Sequence, residues 1–194
     1  MGVDTMQAHY MIFNMTFALI ATYVQCCLIA EEKEKNTLRG LMLSPASTAE
    51  ILGGKSLLSF VLTMAILLAS ALLAGYNPPN VGVIAVAFAL SALFYIAIGT
   101  LLGLWAKSVM GSSVLVLPVL GIFSFGSFAA PFAEQYPFLK ALDYFPNSQL
   151  IEIAVKVEEG LGFSAMWPHF GIISAWILAA VALTVVVYRK RMVD

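Results

Sequence analysis

Long apolar runs divide the chain, and none of them contains an Asp, Glu, Lys or Arg. The runs cover about residues 10–30, 56–75, 81–106, 112–132 and 169–188. A helix of about 20 apolar residues crosses the ~30 Å hydrocarbon core of a bilayer. The runs lack the alternation of barrel strands, and a backbone in lipid must satisfy its own hydrogen bonds. The pattern therefore predicts an all-α membrane protein, a polytopic bundle of five transmembrane helices in one domain over residues 1–194.

Composition excludes several other classes of protein. Hydrophobic residues make up 61% of the chain and charged residues 11%, which is incompatible with an ordinary soluble domain. Ten Lys and Arg against eleven Asp and Glu leave no basic surface for nucleic acid. The two adjacent cysteines, Cys26 and Cys27, and the two histidines, His9 and His169, do not have the spacing of a metal site. We predict no catalytic residue, no metal and no cofactor bound by this chain.

Orientation follows from the Lys and Arg residues in the connections. Eight of the ten lie in three places that must share one side: Lys33, Lys35, Arg39, Lys55, Lys107, Arg189, Lys190 and Arg191. Because positive loops stay in the cytoplasm, the sequence predicts an inner-membrane protein with a cytoplasmic carboxyl end and an external amino end. An odd number of spans leaves two hypotheses. Either the protein has five spans in all, or one further span is missing from this chain.

The most polar segment, residues 31–50, lies between the first two runs. Glu31 and Lys35 have the favourable i, i+4 order of acid before base on a helix. An apolar stripe at helical spacing, a Ser-Pro break and a capping-box pair follow: Leu38, Leu41, Met42, Ser44, Pro45, Ser47 and Glu50. The pattern predicts a short amphipathic cytoplasmic helix, a break and a new helix. It is either a solvated loop or a rigid docking element for a cytoplasmic partner.

This segment also has the pattern Glu31-x-Lys33-Glu34-x-x-Thr37-Leu38-x-x-Leu41-x-x-Ser44-Pro45. The pattern resembles the signature of type-2 ATP-binding-cassette exporter permeases, the class that includes daunorubicin-type drug exporters. The resemblance implies that the segment is a coupling helix seated in a groove of a separate ATPase subunit, which binds ATP and Mg. The residues it implies for coupling are Glu31, Glu34, Thr37, Leu38, Arg39, Leu41, Ser44 and Pro45.

The resemblance carries further expectations about architecture and function. Such permeases typically have six spans and a coupling segment after the second, so it implies that this chain lacks the first span. It implies export of an amphipathic compound, such as a drug, lipid, peptide or glycan-linked lipid, by a homodimer or a pair of related permeases in contact with membrane lipids. One alternative is a non-transporting scaffold, an immunity or sensor subunit, or an inactive permease. An ion-coupled carrier is disfavoured, because no charged residue lies in any predicted span.

Within the spans, polar and aromatic side chains are candidates for a substrate path or for helix packing: Asn14, Thr16, Tyr23, Phe88 and Tyr95. The fourth run carries helix breakers that predict a kink, serving either as a gate or for close packing: Pro118, Gly121 and Gly126. In the external loop, residues 133–168, we predict two short helices, the second capped by Asn147. The resemblance implies a re-entrant outer gate there, and an interfacial lid is the alternative.

Overall fold

A computed structural model describes residues 3–35, 48–125 and 136–193, and these residues form helices joined by turns, with no strand among them. The first helix, α1, has three segments: α-helical Val3–Thr16, π-helical Phe17–Val24 and α-helical Gln25–Glu34. The remaining helices are α2 (Thr48–Leu73), α3 (Val81–Trp105), α4 (Val109–Phe125), a 3₁₀ helix (Pro137–Tyr144), α5 (Pro146–Glu158) and α6 (Phe163–Val193). The predicted all-helical class is confirmed.

Within these ranges, four helices are long and apolar enough to cross a membrane. They are Thr5–Glu34, Gly53–Leu73, Val81–Trp105 and Phe163–Tyr188. Each overlaps one predicted span. The predicted span 112–132 is described as far as Phe125, and its apolar helix, Val109–Ser124, is shorter than the others. A multi-pass helical membrane protein is thus established, while the count of five spans stays a prediction.

One helix end agrees with the sequence pattern and two differ from it. α1 continues past the apolar run to Glu34, as the helix predicted for the start of the polar segment indicated, because Glu and Lys are good helix formers. α6 begins at Phe163 and includes Pro168, whose missing N–H costs one intrahelical bond in its second turn. The prediction that Asn147 caps the second external helix is wrong. Pro146 starts α5 with its preset φ, so Asn147 lies inside the first turn.

The two predicted external helices are present as the 3₁₀ helix and α5. Side chains join them: the Ser148 hydroxyl donates to the carbonyl of Leu142 at 2.8 Å, and the Gln149 amide donates to the carbonyl of Asp143 at 2.6 Å. After α5 the chain turns at Gly160, whose φ of 70° lies in the left-handed region that glycine adopts without a Cβ penalty. Local turn chemistry thus determines the shape of this loop.

α3 is the central helix, and it packs against α1, α2, α4, α5 and α6. Its aromatic side chains meet those of α1 in the core, where Phe88 lies against Phe13 with ring centroids 4.9 Å apart. The outer faces of α2 and α6 instead carry exposed apolar side chains, such as Leu72 at 73% and Leu178 at 71%. Exposed apolar faces of this kind are suited to hydrocarbon, as a membrane bundle requires.

The amino-terminal part of α1 is attached to the turn between α2 and α3. His9 Nε2 lies 3.0 Å from the carbonyl oxygen of Ala74, and the hydroxyls of Tyr10 and Tyr76 are 2.7 Å apart. Burial raises the pKa of the Tyr76 phenol, so this contact is between neutral hydroxyls. One end of α1 is thereby fixed to the α2–α3 turn.

Candidate functional site: the charged junction at the end of α1

The predicted coupling segment begins on the last turn of α1. Glu31 and Glu34 are described, and the other residues predicted for coupling lie outside the described residues: Thr37, Leu38, Arg39, Leu41, Ser44 and Pro45. The described part, residues 31–35, contains five charged side chains in a row. We call these residues, with the groups they contact on α2, α3 and α4, the charged junction.

Ion pairs between described residues contribute to the charged junction. Lys35 donates to the carboxylate of Glu31 on its own helix, as the i, i+4 spacing predicted, and this bond with its negative charge raises the pKa of Lys35. Both side chains are largely exposed, so solvent screens the pair. Glu32 instead accepts from Lys55 of α2 at 2.8 Å, and only 21% of each side chain is exposed. This second pair joins α1 to the start of α2.

Lys33 joins α1 to the end of α3. Its ammonium nitrogen lies 2.7 Å from the carbonyl oxygen of Leu104 and 2.6 Å from that of Ala106. These carbonyls belong to the last turn and the capping residue of α3, where the helix leaves acceptors without intrahelical donors. A cation at this end also interacts favourably with the helix dipole. Lys33 therefore acts as the carboxyl-terminal cap of α3.

Glu34 joins α1 to the beginning of α4. Its Oε2 accepts a hydrogen bond of 2.9 Å from the backbone N–H of Val109, the first residue of α4. Amino-terminal N–H groups of a helix lack intrahelical acceptors, and an anion there also complements the dipole. Since Lys107 and Ser108 form the turn between the two caps, both sides of the α3–α4 turn are bonded to α1.

Directly inside the bundle, a buried amide connects the same helices. Gln25 of α1 is fully buried, and its Nε2 donates to the hydroxyls of Ser56 on α2 at 3.2 Å and Thr100 on α3 at 2.9 Å. Its Oε1 accepts from the hydroxyl of Ser59 on α2 at 2.7 Å. The amide thus has partners on both neighbouring helices, as a polar group inside a membrane bundle requires.

Close backbone contact accompanies this network. A Cβ placed on Gly99 of α3 would lie 2.5 Å from the carbonyl oxygen of Thr22 on α1. A Cβ on Gly103 would lie 2.6 Å from Cβ of Ile29 and 2.9 Å from the carbonyl oxygen of Cys26. The Thr22 hydroxyl also donates to the carbonyl of Tyr95 at 3.1 Å. α1 and α3 can approach this closely only because both α3 positions are glycine.

Sequence reasoning overlooked most of these positions. Gly99 and Gly103 form a G-x-x-x-G pattern inside the third apolar run, which is a known signal of close helix packing in membranes. In the sequence, Lys33 and Lys55 indicate the orientation, and Lys33 also belongs to the pattern at residues 31–45, but neither was predicted to contact another helix. No local signal connects Lys33 to Ala106, because the contact joins residues 73 positions apart. The glycines were recoverable from the sequence, whereas the long-range caps were not.

The structure places the five predicted substrate-path residues mostly in the interior. Tyr95 is fully buried, its ring stacked on Phe17 with centroids 5.2 Å apart. Phe88 lies in the same aromatic core, and Thr16 donates to the carbonyl of its own helix at Ile12. Tyr23 is more accessible, and its hydroxyl lies 3.0 Å from that of Ser113 on α4. Their role in substrate passage stays a prediction.

Some buried polar atoms in this interior have no hydrogen-bond partner within the described ranges. They include Tyr95 Oη and Asn14 Oδ1, together with the hydroxyls of Ser91 and Ser124. Ser91 and Tyr95 are four residues apart on α3 and so share one helix face. Ser124 follows Phe123, whose ring lies 5.5 Å from that of Tyr95. The aromatic interior therefore contains polar atoms that have no hydrogen-bond partner among the described residues.

Of the residues predicted to form a gate or kink, two are described. Pro118 lies inside α4, which is helical on both sides of it from Val109 to Phe125. Gly121 is exposed, and a Cβ on it would meet no described atom within 4 Å. Gly126 lies outside the described residues. A gating role for this helix stays a prediction.

These observations define a multi-pass helical membrane protein whose helix ends are joined by a charged junction at one end of the bundle. A family model described as "ABC-2 family transporter protein" matches residues 3–186. The chain therefore belongs to the ABC-2 family of transporter proteins, as the signature in residues 31–45 indicated. Members of this family are membrane subunits that are not themselves catalytic and generally work with ATPase subunits. No match was found among curated proteins or among solved structures.

Proposed function

We propose that this chain is the permease subunit of an ATP-binding-cassette exporter, and that residues 31–50 dock on a separate ATPase subunit that carries ATP and Mg. The observation that supports this proposal best is the charged junction. Its α1 residues directly precede the rest of the proposed docking segment, and they bond to the ends of α2, α3 and α4. A displacement of the segment would therefore be passed to three other helices.

The proposed cycle needs two permease chains, each with an ATPase. Closure of the two ATPases around ATP displaces the paired docking segments, and the displacement separates the two permeases on the outer side. ATP binding thus stabilises the outward-open state, and hydrolysis restores the inward state. The ATPase supplies the energy. This chain contributes the substrate path and the docking segment that the ATPase displaces.

An amphipathic compound is the substrate class that the interior fits best. Aromatic and aliphatic side chains line the core around Phe17, Phe88 and Tyr95, and the unpartnered oxygens of Asn14 and Tyr95 lie among them. An apolar surface with a few polar groups is typical of sites that orient a mainly apolar ligand. The amphiphile would reach these groups when the helices separate.

An ion-coupled carrier is one of the rival classes, besides a non-transporting membrane protein. Proton and ion sites in membranes usually need an ionisable side chain inside a span, and the predicted spans contain no Asp, Glu, Lys or Arg. A direct comparison measures efflux of a panel of fluorescent amphiphiles from cells that carry an ATPase unable to hydrolyse ATP. Efflux that continues in those cells supports the carrier, and efflux that stops supports the exporter.

Docking is tested by disrupting the apolar stripe of the segment. Leu38→Asp with Leu41→Asp should abolish co-purification with the ATPase, because a groove that accepts leucines cannot pair two new carboxylates. The matched control, Leu38→Ile with Leu41→Ile, keeps the stripe apolar and should co-purify like the original chain. Membrane insertion of both variants is checked by extraction with carbonate. If the ATPase still co-purifies with the Asp variant, the docking assignment is wrong.

A further inference from the structure

Lys33 and Glu34 are neighbours in sequence, yet they bind opposite ends of two consecutive helices. The Lys33 ammonium contacts the carbonyls of Leu104 and Ala106 where α3 ends, and the Glu34 carboxylate accepts the N–H of Val109 where α4 begins. Each charge has the sign that stabilises the helix end it meets. The dipeptide therefore holds the α3–α4 turn, residues 106–108, from both sides.

We propose that Lys33 and Glu34 are positioning residues that transmit movement of the docking segment to the α3–α4 turn. This inference rests on the proposed function, since it assumes that the segment is moved by an ATPase. It adds the route by which the movement reaches the central helix of the bundle. Among the described helices, α3 packs against α1, α2, α4, α5 and α6, so a shift of its end changes its contacts with each of them.

The connection to the α3–α4 turn differs from the connection to α2. α2 follows the segment directly in the chain, so a displacement reaches it through covalent bonds. The α3–α4 turn is about 70 residues further on and receives the displacement through space, by contacts that include those of Lys33 and Glu34. Glu31 and Lys35 pair on their own helix and do not contribute to this connection through their mutual bond.

Hydrogen exchange of the purified full chain in nanodiscs tests the resting connection without any ATPase. Glu34→Ala removes the acceptor of the Val109 N–H, and Lys33→Met removes the cap of α3 with little change in side-chain length. Amides in residues 104–110 should exchange roughly fivefold faster in Glu34→Ala, as expected for the loss of one hydrogen bond, and at least as much faster in Lys33→Met, which loses two. Unchanged exchange in both variants overturns the proposal.

Two further variants separate this role from a general effect of charge. Lys35→Met removes the same type of side chain two positions away and should leave exchange in residues 104–110 unchanged. Lys33→Arg keeps a cation that can donate to both carbonyls and should restore protection. If Lys33→Met elutes as an aggregate, Lys33→Gln takes its place. Equal acceleration by Lys35→Met and Lys33→Met contradicts the assignment.

The second measurement uses the complex of permease and ATPase, with and without ATP and orthovanadate. In the original complex, trapping the ATPase should change exchange both in residues 31–35 and in residues 104–110. In Lys33→Met the change at 31–35 should persist and the change at 104–110 should be lost. A full response at 104–110 in this variant overturns the inference. If no ATPase co-purifies with the original chain, the proposed function fails, while the nanodisc experiment still decides the resting connection.

Discussion

The close approach of α1 and α3 predicts that alanine at Gly99 or Gly103 destabilises the protein. Gly99→Ala places a Cβ 2.5 Å from the carbonyl oxygen of Thr22, which belongs to backbone and cannot rotate away. Reaching even a tight contact of 3.0 Å requires the two helices to separate locally by about 0.5 Å. The separation also strains the bond of 3.1 Å between the Thr22 hydroxyl and the carbonyl of Tyr95.

The expected magnitude combines two opposing effects. Alanine in place of a helical glycine gains about 0.5–1 kcal/mol of helix stability. Overpacking a dense interior costs about 1–3 kcal/mol, and the upper half of this range applies when the obstacle is backbone. We therefore expect Gly99→Ala to lower the free energy of unfolding by about 1–2.5 kcal/mol, and Gly103→Ala by a similar amount because its nearest atoms are also fixed.

Matched controls are available in the same chain. Gly121 in α4 and Gly171 in α6 are helical, and a Cβ on either meets no described atom within 4 Å. Their alanine variants should be as stable as the original chain or slightly more stable. The measurement is reversible unfolding in mixed SDS micelles, followed by circular dichroism. If Gly99→Ala and Gly121→Ala unfold at the same SDS fraction, α1 and α3 do not approach each other this closely in the folded protein.

Three further predictions can be tested, two from the described contacts and one from the predicted orientation. Gln25→Leu removes the amide that bonds to Ser56, Ser59 and Thr100. It should destabilise the bundle by about 1–2 kcal/mol in the same SDS assay, since single polar contacts in membranes contribute about 0.6–1.7 kcal/mol. An unchanged SDS fraction at half unfolding contradicts the network. Tyr95→Phe removes a buried hydroxyl without a described partner, so stability should stay constant or rise, whereas a loss above about 1 kcal/mol would show that the hydroxyl is paired. Lys107→Cys, in a background with Cys26 and Cys27 replaced by Ala, should react with an impermeant maleimide in inside-out vesicles only. Labelling of Lys107→Cys in intact spheroplasts would contradict the predicted orientation, which places this position in the cytoplasm.

Much of the fold followed from hydrophobic periodicity and turn chemistry. The third run was predicted as 81–106 and is the helix Val81–Trp105, because Asn80 caps one end and the apolar run stops at the other. The Asn80 side chain accepts from the N–H of Val83 at 3.2 Å, which is the local interaction that starts α3. The start of α6 was predicted less accurately, because this helix begins at Phe163, before the apolar run at residues 169–188 from which it was predicted.

The coupling segment predicted from the sequence stays a prediction, and the sequence did not indicate the contacts that the structure shows at residues 31–35. The pattern at residues 31–45 indicated a coupling segment and the family to which the chain belongs. It assigned Glu34 to a partner protein, whereas in the described structure this carboxylate already caps α4. A charge at a helix end has the same appearance in sequence whether its partner is another protein or a backbone amide of its own chain.

The amino-acid sequence by itself determined that this chain forms apolar helices in a membrane, since that result depends on the length of uncharged runs and on backbone groups that must be satisfied within each helix. Only the tertiary structure decided that α3 is central, that Gly99 and Gly103 permit contact with α1, and that Lys33 and Glu34 hold the α3–α4 turn. The physical reason is sequence distance. Helix formation is governed by neighbours within a few positions, whereas these contacts join residues more than 70 apart and exist only once the helices have packed.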